Sequence, residues 1–166
     1  MSAHRNAMRQ DAKKRQDAKG RESGMPYEEE IPPWGDLIES PEELDRLAHS
    51  VIGAAIEVHR QLGPGLPEQA YQGGMEVELR IRGIPFERQK VIEIVYKGVI
   101  VAKGFIDLLV GGKLVVEAKS VELVIPLHRL QTLTYMRIIR QPLGLLINFN
   151  VAVLKEGIKR IIDSDR

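Results

Sequence analysis

The chain predicts an α/β domain, a mixed four-stranded sheet flanked by helices. Three observations carry that reading: a long apolar stripe at helical spacing ends near residue 62, three strand-like runs follow one another from Phe86, and helix-like and strand-like segments alternate after Pro126. At 166 residues there is enough chain for one core without disulfides or other staples.

Residues 1–39 are polar and charged, with basic residues ahead of Gly24 and the acidic run Glu28 to Glu30 after it. They read as a flexible tail, the domain proper being 40–166. A sharper reading makes the tail a basic arm for phosphate, with PPWG around Trp34 as a docking motif; the solvated-linker reading is favoured. At Ser40 the sequence SPEE supplies an N-cap serine, a proline for the first helical position and Glu43 to close a capping box. Leu44, Leu47, Ala48, Val51, Ile52, Ala55, Val58 and Leu62 then form one apolar helix face, which GPGLP terminates.

Pro67 can open a second helix, with Glu68 in its first turn and Tyr71, Met75 and Leu79 at four-residue spacing. Gly73 and Gly74 argue against its continuity, each costing about 1 kcal/mol relative to alanine inside a helix. Glu87 to Tyr96, Val99 to Val110 and Leu114 to Ser120 read as an antiparallel meander, with Lys97-Gly98 and Gly111-Gly112-Lys113 as turns. LHRLQTLTYMRIIR after Pro126 reads as a helix, Leu143 to Phe149 as a buried strand, and Leu154 to Ile162 as a final helix.

Composition excludes several classes. There is no cysteine, hence no disulfide, thiolate metal site or cysteine nucleophile. No apolar run approaches a membrane span and the N-terminus lacks the apolar centre of a secretory signal, so the expected setting is soluble and cytoplasmic. A net charge of +1 gives no global field for nucleic acid, and any such role must rest on local chemistry.

The hairpin GFIDLLVGGKLVVEAKS supplies that chemistry, because Asp107, Glu117 and Lys119 interrupt two apolar strands. A three-residue loop pairs Val110 with Leu114, which sets Asp107 opposite Glu117 and Phe105 opposite Lys119, all on one face. A two-residue Gly-Gly turn would separate the carboxylates across the sheet. Adjacent carboxylates repel unless a proton or cation lies between them, and oxygen ligands suit Mg2+ or Mn2+. Lys119 could steer a water and stabilise charge on a phosphoryl group; the alternative is a structural ion pair with Glu117 or Asp107, and spacing alone does not choose.

The chain from about Leu44 to Ile162 closely resembles the GxxExxY protein family, a branch of the PD-(D/E)XK nuclease-like superfamily. The resemblance rests on GLPEQAY with Gly65, Glu68 and Tyr71, on the preceding IGAAIEVHRQLGPG, and on IDLLV, VVEAKS, HRLQTLTY and LGLLINFNV, in that order. It implies a restriction-endonuclease-like core of a helix, a three-stranded meander, a helix and a fourth strand. Its ancestral chemistry is Mg2+-dependent phosphodiester hydrolysis.

Carried over, Asp107, Glu117 and the backbone carbonyl of Ala118 would hold the metal, Lys119 would be the catalytic lysine, and Glu68 would add a carboxylate to the metal or its water. Gln131 and Tyr135 match a QxxxY signature and would orient the lysine or contact a DNA phosphate. Phe105 stands where relatives often have a basic residue, which removes one phosphate contact.

Other residues are better explained by structure: His59 and His128 as packed or capping residues, with His128 the nearer to Gln131, Tyr71 and Met75 as core, and Asn148 and Asn150 as caps for the next helix. The leading function is a metal-dependent nuclease acting on DNA in repair, defence or mobile-element processing. The alternatives are a non-catalytic nucleic-acid-binding or scaffold protein, as the small partner of a larger complex, and a phosphodiesterase or phosphatase with a small substrate; the partners expected are nucleic acid and either a second copy of the chain, as a homo-oligomer, or a larger complex.

Overall fold

The computed structural model describes residues 41–163. The expected tail, the PPWG motif and the Ser40 cap lie outside the described residues. Helix α1, Pro41–Leu62, buries Leu44, Ala48, Val51, Ala54, Ala55 and Val58 along one stripe, as the periodicity requires, while Leu62 at its end is exposed. Gly63 and Gly65, at φ 71° and 93°, turn the chain into α2, Glu68–Ile81. Tyr71, Met75 and Leu79 are fully buried on α2.

The two glycines do not interrupt α2, and their roles differ. A Cβ at Gly74 would lie 2.8 Å from Val58 Cγ1, whereas one at Gly73 would meet nothing within 4 Å. Gly74 therefore lets the two helices approach, and a buried β-branched valine cannot swing away. Gly73→Ala should stabilise the fold by about 0.5–1 kcal/mol through helix propensity, whereas Gly74→Ala should destabilise it by about 1 kcal/mol despite the same gain. Urea titration of the two variants checks the opposite signs.

Strands β1, Phe86–Tyr96, β2, Val99–Val110, and β3, Leu114–Lys119, form the expected meander. Helix α3, Pro126–Ile138, then crosses to β4, Leu143–Asn148, which pairs parallel to β3. Two cores result. One packs α1 and α2 against Leu108, Val110, Leu114, Val116, Ala118, Leu145 and Ile147. The other packs Met136, Leu133 and Tyr135 of α3 against Ile92, Ile106, Val115 and Leu146.

The final segment corrects the sequence expectation. Only Leu154–Gly157, α4, is helical; Ile158–Ile162 is a fifth strand, β5, antiparallel to β4, so the sheet has five strands in the order β1-β2-β3-β4-β5 rather than four. β4 is buried throughout and its far edge would leave backbone groups unpaired without β5. Three isoleucines suit the added strand. Gly157 marks the change, since a Cβ there would collide with the Asn148 carbonyl. Arg137 of α3 then pairs with Asp163 at 2.8 Å beyond the strand.

Candidate active site

The β2–β3 loop is the three-residue Gly111-Gly112-Lys113, with both glycines at positive φ, and the ladder runs Val110↔Leu114, Leu109↔Val115 and Leu108↔Val116. There it stops. At the next step the carboxylates replace the backbone bonds: Glu117 Oε1 accepts from the Asp107 amide at 3.3 Å, and Asp107 Oδ2 accepts from the Ala118 amide at 3.0 Å. Asp107 and Glu117 are thus adjacent, as the three-residue loop predicts. The expected continuation to Phe105 opposite Lys119 is not formed, because β2 changes face at Asp107.

Leu108 and Val110 lie in the core beneath α1 and α2, yet Ile106, only two residues from Leu108, lies in the core beneath α3. β1 makes the same exchange: Arg88 reaches Glu76 of α2 at 3.0 Å, whereas Ile92 packs in the α3 core. Regular alternation would keep each pair on one side. Between them the ladder skips from Arg88↔Leu108 to Lys90↔Ile106, and Gln89 takes φ 47°. Its side chain amide donates to Asp107 Oδ1 at 3.2 Å. Sequence reasoning missed Gln89, since nothing in FERQKVIEIVY marks a left-handed residue.

Lys119 ends β3 with its Nζ 3.7 Å from Glu117 Oε2 and 3.9 Å from Glu68 Oε1, its side chain 13% exposed. Glu68 is delivered by the turn ahead of α2. The buried Tyr71 ring stacks on Phe149 at 4.6 Å, its hydroxyl donates to the Gly63 carbonyl at 2.7 Å, and it accepts from the Leu66 amide at 3.0 Å. Ser120 Oγ donates to the Leu66 carbonyl at 2.6 Å, joining that turn to the end of β3. Tyr71 is core, as expected, and also the tie that sets Glu68.

Asn148 is not a helix cap: its Nδ2 donates to the Val121 carbonyl at 2.8 Å and its Oδ1 accepts from the Val121 and Asn150 amides at 3.1 and 3.3 Å. Its place beside Lys119 on the neighbouring strand makes it a clamp for the loop leaving β3, and α4 begins without a side-chain cap.

Burial pushes the Glu117 carboxyl up to about 8, with the Asp107 charge adding to the rise and Lys119 opposing it. Glu68 is also raised, by burial first and by Asp107, against the pull of Lys119, a Ser120 hydrogen bond and His128. In the metal-free protein the folded state thus keeps the Glu117 proton that the unfolded chain loses near 4.5. The resulting stability is full below about pH 4.5 and is lost as pH rises towards about 8. Glu117→Gln should flatten that decline and melt higher than wild type at pH 8.5 in EDTA, as thermal scans across pH would register.

The donor set suits a hard divalent cation, for two neighbouring carboxylates, one of them 2% exposed, lack enough positive charge to hold both ionised. Among the described residues, no three His, Asp or Glu side chains are grouped to hold a metal ion. A cation here would therefore draw on Asp107, Glu117 and a backbone carbonyl such as that of Ala118, with Glu68 set back on Lys119.

The remaining candidates separate clearly. Gln131 donates to the Tyr135 hydroxyl at 3.0 Å on α3, and the Tyr135 ring packs towards Gly104 and Ile92; no hydrogen bond among the described residues joins this pair to the carboxylates. His128, three residues before Gln131, accepts from the Ile125 amide at 3.4 Å, capping α3, and is near enough to Glu68 to influence its charge. His59 contacts the Val151 carbonyl at 2.9 Å and the Phe149 ring, a packing role.

No helix among the described residues is long and apolar enough to cross a membrane. Comparison with curated proteins and with solved structures finds no match to this chain. The sequence description of the PD-(D/E)XK nuclease superfamily does match, over residues 45–161, a span that takes in every strand of the sheet but for its last residue and all of the candidate residues named above. With the mixed sheet, its flanking helices and the D…E-x-K arrangement of Asp107, Glu117 and Lys119 at one point of that sheet, the match makes this chain a member of the PD-(D/E)XK nuclease superfamily.

Proposed function

We propose that the protein is a Mg2+- or Mn2+-dependent phosphodiesterase that hydrolyses nucleic acid, with DNA as the substrate, and that it belongs to the GxxExxY branch. The observation that carries this reading is the convergence of Asp107, Glu117 and Lys119 where the β2–β3 ladder gives way to side-chain bonds. The GLPEQAY motif supports the branch, with Glu68 facing Lys119 and Tyr71 fixing the turn.

Asp107, Glu117 and the Ala118 carbonyl would hold the metal, which when bound would polarise a phosphoryl oxygen and acidify water. Lys119 orients the attacking water and stabilises the negative charge on the phosphoryl oxygens as the water oxygen bonds to phosphorus, the leaving-group oxygen departing with the electron pair of the broken P–O bond. Glu68 holds the Lys119 ammonium from the other side, and in this reading it takes the proton released by the water. Gln131 and Tyr135 would present their polar ends to a phosphate beside the reacting one. One observation favours a second reading, a non-catalytic scaffold: Lys119 already pairs with both Glu117 and Glu68, as a structural ion cluster would.

Labelled single- and double-stranded DNA and RNA incubated with Mg2+, Mn2+ or EDTA test the choice. Cleavage of DNA with either metal and none in EDTA supports the enzyme. Binding of Mn2+ and nucleic acid without cleavage of any substrate supports the scaffold.

A further inference from the structure

We propose that Gln89 is a positioning residue for Asp107, held in a strained backbone conformation so that its amide fixes the carboxylate. The inference rests on the reading of Asp107 as a metal ligand. Three observations coincide at one point. Gln89 is a non-glycine residue at φ 47° inside a strand, a region that costs an L-residue energy and persists only where the surroundings over-determine it. The Gln89–Asp107 step is missing from a ladder otherwise continuous from Phe86↔Val110 to Glu93↔Lys103. The side chain freed by that twist turns onto Asp107 Oδ1.

The surroundings that enforce the strain are visible on both sides. Arg88 is tied to the buried Glu76 on α2, and Ile92 is buried beneath α3, so β1 must change face between them. β2 changes face opposite, between Leu108 and Ile106. A face exchange alone would be met by glycine at position 89, which adopts positive φ without cost. Glutamine pays the strain and adds one thing that glycine cannot, a donor for Asp107.

With Gln89 on Oδ1 and the Ala118 amide on Oδ2, each oxygen of Asp107 has one partner and keeps a lone pair for another. Such outer contacts fix the orientation of a ligating carboxylate and typically change metal affinity by about 10–100-fold when removed.

Stability and metal affinity should therefore move apart in Gln89→Gly. Relief of strain should leave the metal-free Tm in EDTA no lower than that of wild type, while calorimetry should show Mn2+ binding weakened about tenfold or more. Gln89→Asn, which tolerates positive φ but is one methylene shorter, should behave alike. An unchanged Mn2+ Kd in both variants would overturn the positioning role while leaving the metal site intact. A loss of affinity accompanied by a lower Tm would also overturn it, because the residue would then be acting through the fold. Wild-type protein that failed to bind Mn2+ would overturn the metal reading itself, and this inference with it.

Discussion

Lys119→Ala should lower the rate of DNA cleavage about 100-fold or more, the scale of losing one electrostatic stabiliser of the transition state. The substitution has a second effect that must be told apart from the first. Lys119 opposes the rise of the Glu117 carboxyl, so its loss should push Glu117 above about 8 and make protons compete more strongly for the metal site at neutral pH. Metal affinity should therefore fall at pH 7 and return towards the wild-type value near pH 9. Cleavage should stay low at both, since no deprotonation restores the missing ammonium. Single-turnover rates measured beside Mn2+ calorimetry at the two pH values separate the contributions. Full activity in Lys119→Ala would make the lysine a structural ion-pair partner of Glu117 and Glu68.

Asp107→Asn should remove most metal affinity, and activity with it, while leaving the metal-free fold at least as stable as wild type. The charge of Asp107 raises both Glu117 and Glu68, so replacing it with a neutral isostere relieves repulsion at a buried point. Asparagine can still accept from the Ala118 amide through its carbonyl oxygen, and the Gln89 amide can reverse to accept from the new NH2 group. The expected result is a Tm in EDTA equal to or above that of wild type, with a Mn2+ Kd about 10-fold or more weaker and partial recovery of cleavage in excess Mn2+. A marked drop in metal-free Tm would mean that Asp107 serves the fold rather than a cation.

Much of the candidate site was legible because its residues interrupt strong patterns. Asp107, Glu117 and Lys119 break apolar strands, and a glycine-rich loop sets the register that joins the first two. Glu68 was legible through the motif that also contains Tyr71, although the motif says nothing of how the Tyr71 hydroxyl and Ser120 lock the turn.

What was hidden depends on tertiary context. Ile158 to Ile162 carries a pattern that suits helix or strand, and only the open edge of β4 decides it. The exchange of faces at Gln89 and Asp107 follows from where α2 and α3 pack, which local spacing does not record. Gly73 and Gly74 read as the same helix-weakening pair, yet one faces open space and the other Val58. Asn148 looked like a cap because it precedes a helix, whereas its partner Val121 is 27 residues away in the chain.

Anomalous diffraction from crystals grown with Mn2+ would locate a cation bound by Asp107 and Glu117. One manganese peak is expected between the carboxylates of Asp107 and Glu117, with the Ala118 carbonyl as a further protein ligand. Lys119 should then have moved off Glu117, whose oxygen the metal takes. A map with no peak there at millimolar Mn2+, with the Lys119–Glu117 pair intact, would contradict the metal reading and leave a structural cluster, in which ion pairs hold β3 to α2 and carboxylate–amide bonds hold β2 to β3.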